Sequence, residues 1–280
     1  MARAAVSGRL TWLVATVSET RDETETARTL VLDVPGWLGH LPGQHVAVKL
    51  IAADGYTAQR DYSIASAPEP GRLEITVQRV ADGEVSAYLA GTVLPNTVLP
   101  NTVQPGSAQP GTARPGDQFE LRGPIGGWFA WHPDDPRAVL LLAGGSGVVP
   151  LMSIIRTHDQ VKSKAPVQLI YSARTPADII YAEELEKRTR VSPATVATFL
   201  YTRLTKYRGT LATATNDVKV GRIPGYAGRL SADVLAKTAF PPELNPAVFA
   251  CGPSGFVETA ATLLTAAGYP PETIKTERFG

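Results

Sequence analysis

Three glycines, Gly144, Gly145 and Gly147, follow four apolar residues and precede Pro150 in the stretch AGGSGVVP. Glycines between a buried strand and a helix bring bare backbone N–H groups to the helix N-terminus, where they bind anions such as a diphosphate. Pro150 suits the first turn of that helix, because the N–H that proline lacks would be unpaired there. A glycine loop also closes ordinary strand–helix turns without a ligand, so this stretch alone leaves both interpretations open.

The stretch Arg60-Asp61-Tyr62-Ser63 has residue types suited to a flat anionic cofactor. Strand alternation places Arg60 and Tyr62 on one face and Ser63 on the other, unless a bulge turns Ser63. A guanidinium pairs with phosphate, and a phenol ring covers an aromatic face while its hydroxyl bonds to a ring heteroatom. On spacing alone, an Arg and a Tyr side by side are also a plain surface pair.

Gly83-Glu84-Val85-Ser86 begins a short helical segment and offers a second anion-binding helix N-terminus. The alternative is that the glycine before this helix is a simple cap.

The first part of the chain has the pattern of an antiparallel β-barrel over residues 1–133. One short helix, VSAYLAG, interrupts six runs rich in β-branched residues, which are separated by turn sequences such as LPG, ADG and PEPG. The runs are TWLVATVSE, RTLVLDV, HVAVKLIA, RDYSIASA, RLEITVQRV and DQFELRG. Six strands with turn-rich connections predict a closed or nearly closed barrel.

Residues 92–116 consist of five pentapeptides, TVLPN, TVLPN, TVQPG, SAQPG and TARPG. Pro followed by Asn or Gly suits the central positions of a type II turn. Removing most of this segment would still leave a helix, a short turn and a strand. We therefore predict a solvated insertion in a barrel loop, with a partner-docking surface as the alternative.

Beyond the sequence HPDDPR, residues 132–137, which we interpret as a linker, strands and helices alternate up to residue 280. This alternation predicts a doubly wound α/β domain over residues 137–280, with a parallel sheet and helices on both faces. A ligand would then bind at the carboxyl ends of its strands. The uncharged run 138–155 is interpreted as a strand, loop and helix start, because its glycines and Pro150 are unsuited to a membrane span.

Composition excludes several classes of function. The 280 residues have a formal net charge of +1 and show no cluster of Lys and Arg interleaved with aromatics, which argues against nucleic acid as a partner. Cys251 is the only cysteine, and the four histidines lack the spacings of zinc sites, so we predict no metal site, no Cys-ligated cluster and no disulfide in this sequence. Without a targeting pattern or a membrane span, we expect a cytoplasmic protein.

Five stretches in order, RDYS, GEVS, GPIGGWF (123–129), GGSGVVP and ACGPSGF (250–256), resemble the ferredoxin–NADP reductase family of flavin-dependent oxidoreductases. The similarity spans nearly the whole chain apart from the pentapeptides and about residues 206–226. In particular, the chain resembles bacterial two-domain reductases that lack a fused iron–sulfur domain.

The resemblance implies an FAD site in the barrel. Arg60 would contact a flavin phosphate, Tyr62 would pack on the isoalloxazine or ribityl part, and Ser63 would approach flavin N5. The GEVS stretch, Gly83, Val85 and Ser86, would hold the diphosphate of FAD.

It likewise implies a pyridine-nucleotide site in the second domain. There Gly144, Gly145, Gly147 and Pro150 would cradle the nucleotide diphosphate. Cys251, Gly252 and Pro253 would lie beneath the nicotinamide, although a buried Cys at a strand end is otherwise only a small core residue. Near the chain end, Glu277 and Phe279 would approach the flavin.

The choice between NADPH and NADH depends on charge after the second and third strands of this domain. An acidic residue there would bind ribose hydroxyls and indicate NAD. The sequence instead has Ser172 and Arg174 after the second strand, Arg203 after the third and Arg229 further on. By the resemblance, Arg203 would meet the 2′-phosphate with help from Arg229, so we predict NADPH, with NADH as the alternative.

The resemblance therefore implies hydride transfer from NAD(P)H to FAD, followed by electron delivery to a ferredoxin-like, iron–sulfur or haem protein such as an oxygenase component. One alternative is a diaphorase-like reductase acting on small flavin or quinone acceptors. Another is a flavin- or nucleotide-binding subunit without turnover of its own. The sequence leaves the oligomeric state open.

Overall fold

The structure, a computed structural model, describes residues 11–51, 55–81, 83–91, 112–191, 195–203, 217–220 and 223–279. Most of the pentapeptide segment, residues 92–111, lies outside this part of the chain, so the predicted loop insertion stays a prediction. Two sheets make up the described fold.

Six strands form the antiparallel sheet of the N-terminal half. They are β1 (Leu13–Asp22), β2 (Ala27–Asp33), β3 (His45–Ile51), β4 (Thr57–Ser63), β5 (Arg72–Gln78) and β6 (Gln118–Ile125), in the order β4-β3-β6-β1-β2-β5. The two edge strands approach each other, since Ile64, just after β4, bridges to Ile75 of β5. The sheet is therefore a nearly closed barrel, which confirms the predicted architecture.

Alternating side chains fill the interior of this barrel. In β5, for example, Leu73, Ile75 and Val77 are fully buried at every second position. The short helix α1 (Glu84–Ala90) adds Val85 and Leu89 to the same core.

Seven strands form the second sheet, in the order β10-β11-β9-β8-β7-β12-β13. They are β7 (Val139–Gly144), β8 (Val167–Ala173), β9 (Thr195–Tyr201), β10 (Asp217–Val220), β11 (Ile223–Ala227), β12 (Ala247–Pro253) and β13 (Ile274–Phe279). All neighbours pair in parallel except β10, which is antiparallel to β11.

Four helices cover both faces of this sheet: α2 (Val148–Gln160), α3 (Ala182–Val191), α4 (Ala232–Thr238) and α5 (Ser254–Ala266). Leu141 of β7 belongs to the apolar cluster that contains α2 and α3. Its neighbour Leu140 belongs to the cluster that contains α4 and α5. Every residue of β7 is buried because both sides of the strand are covered, which confirms the doubly wound fold.

Four elements differ from the sequence prediction. Strands β10, β11 and β13 are additional, and β13 is a polar edge strand without a clear alternating pattern. The alternating pattern predicts a helix over ADIIYAEELEKRT, from residue 177, but α3 begins at Ala182, because Pro176–Asp178 form a separate 3₁₀ turn that is stabilised by a capping box between Thr175 and Asp178.

The uncharged run 138–155 is divided between β7, the glycine loop and α2, as predicted. In the described part of the chain, no helix is long and apolar enough to cross a membrane.

Candidate functional site

The strand order of the second sheet reverses between β7 and β12. A topological switch point of this kind forms a crevice at the carboxyl ends of the two strands. From β7 the chain proceeds to β8 on one side, and it later returns to β12 on the other. In open α/β sheets such a switch point is where ligands bind. The predicted residues Gly144 to Gly147 and Cys251 to Pro253 lie on its two sides.

The glycine loop presses against the end of β12. A Cβ added to Gly147 would overlap the carbonyl group of Cys251 and come within 2.7 Å of the Gly252 nitrogen. A Cβ on Gly144 would come within 2.7 Å of the Phe256 ring. Gly145 has a positive φ of +54° and its Cβ position is open, the nearest atom being Gln78 Oε1 at 3.9 Å. The loop therefore leaves partly exposed backbone at Gly145 and Ser146, just before α2, whose first turn contains Pro150, and backbone N–H groups at such a place suit a diphosphate.

Gln78 belongs to β5 of the barrel, so the nucleotide loop lies directly against the other sheet. An apolar cluster joins the two halves at this place, and within it the rings of Phe129 and Phe249 meet edge to face at 5.4 Å. The carboxyl ends of β7 and β12 therefore lie beside the barrel.

Cys251, Glu277 and Phe279 lie together on that side. Cys251 is in register with Glu277, and Pro253 is in register with Phe279. Burial, and then the charge of Glu277, raise the pKa of the Cys251 thiol, while burial raises the pKa of Glu277 to about 7. Cys251 is fully buried, so the observed thiol environment also fits the alternative of a small core residue.

Register confirms the predicted faces of the RDYS strand. Tyr62 is opposite the core residue Val46, and Arg60 is two positions away on the same face. Arg60 Nη1 donates to the carbonyl of Gln59 at 2.7 Å, and the guanidinium forms no ion pair with any described residue. Burial raises the pKa of the Tyr62 phenol, which therefore stays protonated as a donor.

Ser63 lies on the opposite face, directly across from His45 of β3. His45 was not identified from the sequence, because its closeness to Ser63 depends on the pairing of two strands and not on a local motif. Burial lowers the pKa of His45, and the charge of Asp61 opposes this shift only in part.

The GEVS side chains mostly face inward. The Ser86 hydroxyl donates to the Gly83 carbonyl at 3.2 Å and accepts from Val80 N at 3.2 Å, and Val85 is buried in the barrel core. Gly83 is the N-cap residue of α1 and has no side chain that could cap the helix. Any contact of this stretch with a diphosphate would thus come from the first backbone N–H groups of α1. Arg60, on the neighbouring strand β4, would supply a positive charge to the same diphosphate.

Three predicted arginines converge at the carboxyl edge of the second sheet. Ala173, Tyr201 and Ala227 are register partners across β8, β9 and β11, and Arg174, Arg203 and Arg229 follow them by one or two residues. Arg203 N donates to the Arg174 carbonyl at 2.9 Å. All three side chains are exposed, and none forms an ion pair within the described residues. Ser172 lies nearer the crevice, in register with Gly144.

Comparison with known proteins agrees with this arrangement. Residues 14–100 match the family "Oxidoreductase FAD-binding domain", and residues 141–262 match "Oxidoreductase NAD-binding domain". The chain is 29% identical over 262 residues to the glycine betaine monooxygenase reductase subunit of Chromohalobacter salexigens, covering 92% of this chain and 61% of that protein. It is 27% identical to the 3-ketosteroid-9-alpha-monooxygenase ferredoxin reductase component of Rhodococcus rhodochrous, covering 95% and 65%.

Both of these relatives are thus longer than the present chain, which spans about three fifths of their length. Among solved structures, a ferredoxin NADP⁺ reductase from Neisseria gonorrhoeae with bound FAD and NADP superposes with a TM-score of 0.68 at 20% identity, covering 97% of this chain and 99% of that one. Because the matches to the FAD-binding and NAD-binding families together span most of this chain, and reductase components are among its relatives, the chain belongs to the ferredoxin reductase type of flavoprotein oxidoreductases.

Proposed function

We propose that this protein transfers a hydride from NADPH, or from NADH, to FAD and then delivers electrons to a partner protein. The observation that carries the proposal is the contact between the glycine loop and barrel strand β5, with Gly145 beside Gln78. Because of this contact, the nucleotide-binding edge of one sheet and the flavin-binding side of the other line the same crevice. Catalysis then depends mainly on holding two flat rings face to face.

On the flavin side, Arg60 neutralises phosphate charge and Tyr62 supplies an aromatic surface with a protonated hydroxyl. Ser63 donates a hydrogen bond at N5, and His45 is its register partner on the adjacent strand. Bound FAD supplies the redox chemistry, since it accepts two electrons as a hydride and releases them singly.

On the nucleotide side, the loop at Gly144–Gly147 and the start of α2 bind the diphosphate through backbone N–H groups. Cys251 and Gly252 form the floor under the nicotinamide. Glu277 and Phe279, on the adjoining edge strand, close the site toward the barrel.

NADPH is the preferred donor in this proposal. Three exposed guanidinium groups at one sheet edge, none in an ion pair with a described residue, are matched to the 2′-phosphate, which NADH lacks. Their clustering supports NADPH more strongly than any of the three positions does by itself.

An oxygenase component or another iron–sulfur or haem protein is the proposed electron acceptor. The relatives named above are reductase parts of monooxygenase systems, which favours a protein acceptor over the small flavin or quinone acceptors of a diaphorase. We also propose a cytoplasmic location, which cell fractionation would test.

Anaerobic titration of the purified protein tests the proposal. The preparation should show flavin absorbance, and NADPH should bleach it more effectively than NADH. A folded protein that binds no FAD would contradict the proposal, and a yellow protein that neither nucleotide bleaches would favour a binding subunit without turnover. Turnover with dyes but with no iron–sulfur or haem protein would favour the diaphorase alternative.

A further inference from the structure

Helix α2 connects the nucleotide loop to the barrel segment that follows the flavin strand. It begins at Val148, directly after the loop, and one of its faces lies along residues 65–68, which follow Ser63. Three side chains on this face, Ser153, Arg156 and Gln160, donate to the carbonyl oxygens of Ser66, Ala65 and Pro68 at 2.7, 3.0 and 3.5 Å. Their spacing of three and four residues places them on one side of the helix.

Arg156 has the largest set of partners on this face. Its Nη1 also donates to Glu74 Oε2 of β5 at 3.0 Å, and its Nη2 and Nε donate to Glu184 of α3 at 2.6 and 3.1 Å. The guanidinium lies 4.9 Å from the centre of the Tyr181 ring. Only 14% of the Arg156 side chain is exposed. This largely buried cation therefore bonds both to barrel strand β5 and to helix α3 of the second half.

Both carboxylates have a second arginine of their own. Glu74 accepts from Arg21 at 2.9 Å within the barrel, and Glu184 accepts from Arg188 at 2.8 Å within the second half. Loss of the Arg156 guanidinium would therefore leave neither carboxylate without a partner. What would be lost are the two hydrogen bonds from Arg156 to Ala65 and Glu74, which are part of the bonding between the two halves.

We propose that Arg156 is a positioning residue that sets the separation between the nucleotide loop and the flavin strand. This inference rests on the proposed function. The connection on each side is short, because Ala65 is two residues from Ser63 and Arg156 is in the third turn of the helix that starts at the loop. Displacement of reacting groups by 1 Å can cost about a hundredfold in rate, so this bonding controls hydride transfer without touching either cofactor.

The test compares Arg156→Met with Arg188→Met in the FAD-loaded full chain. Methionine keeps most of the apolar stem of the side chain and removes its bonds to the barrel, whereas Arg188→Met removes ion pairs to the same Glu184 and to Asp159, both within one half. We expect Arg156→Met to slow anaerobic flavin bleaching at saturating NADPH about tenfold or more, with FAD content and nucleotide affinity retained. The long-wavelength charge-transfer absorbance of the reduced enzyme with bound NADP⁺ should weaken in parallel, and Arg188→Met should change neither.

A second readout is independent of both cofactors. In FAD-free protein, hydrogen exchange at residues 64–68 should accelerate in Arg156→Met and stay at the wild-type rate in Arg188→Met. If Arg156→Met does not fold, Glu74→Gln weakens the barrel side of the same link and should give a smaller loss in the same direction.

Wild-type bleaching rates in Arg156→Met, or in Glu74→Gln if that variant is needed, would overturn the positioning role. An equal loss in Arg188→Met, or unchanged exchange at residues 64–68, would overturn it too. These results differ from failure of the proposed function, in which the wild-type protein itself would not be bleached by either nucleotide.

Discussion

Ser63 and His45 face each other across the β3–β4 pair, on the side of the sheet opposite Tyr62. Burial lowers the pKa of His45, which favours the neutral ring, and this ring lies across the strand pair from Ser63. We expect Ser63→Ala to slow flavin bleaching by roughly ten- to a hundredfold, because a donor at the reacting atom is lost.

Stopped-flow absorbance under anaerobic conditions would measure this effect, and the FAD content should be unchanged. Thr57→Ala, at the other end of the same strand, is the matched control and should bleach at the wild-type rate. An unchanged rate in Ser63→Ala would remove Ser63 from the mechanism.

Arg203 should contribute to the choice of nucleotide. Loss of a charged hydrogen bond to the 2′-phosphate costs about 1.5–3 kcal/mol, so Arg203→Ala should raise KM for NADPH about tenfold or more and leave KM for NADH nearly unchanged. Steady-state kinetics with both nucleotides would measure this. Arg190→Ala, which removes an exposed arginine of α3 that pairs with Glu186, is the control. Equal increases for NADPH and NADH would argue against a 2′-phosphate contact.

Glu277 should make the folded protein less stable as pH rises. Its pKa is about 7 in the folded state and 4.5 ordinarily, so the folded state retains a proton that the unfolded state releases between these values. Stability is therefore lost as pH rises from about 4.5 to about 7, by on the order of 3 kcal/mol. Glu277→Gln should remove this contribution and be more stable than wild type at pH 8, as thermal unfolding across pH would show. Parallel profiles for both proteins would contradict the shift.

Gly147 should not tolerate a side chain. Gly147→Ala would push a methyl group into the Cys251 carbonyl, so we expect a loss of about 1–3 kcal/mol in the free energy of unfolding and weaker nucleotide binding. Denaturant unfolding would measure the first effect and nucleotide titration the second. Gly127→Ala, at a glycine with open space around its Cβ position, should be neutral for both. A Gly147→Ala protein as stable as Gly127→Ala would show that the loop does not press on β12.

Sequence analysis predicted the barrel, the doubly wound sheet and the glycine loop, because each produces a local pattern. Alternation in β5, continuous burial in β7 and the glycines before α2 can all be read within about ten residues. The edge strand β13 was not recognised as a strand, since only its first residue is fully buried and its polar side chains give no clear period.

By itself, then, the sequence determined the two architectures and the residue types that could hold a flavin and a nucleotide. Only the tertiary structure placed His45 opposite Ser63, gathered Arg174, Arg203 and Arg229 at one edge, and bonded Arg156 to Glu74 across the two halves. The physical reason is the distance along the chain over which each signal acts, because periodicity and capping involve only near neighbours in the sequence. Strand register and the docking of one sheet on another join residues whose separation in the sequence carries no fixed signal.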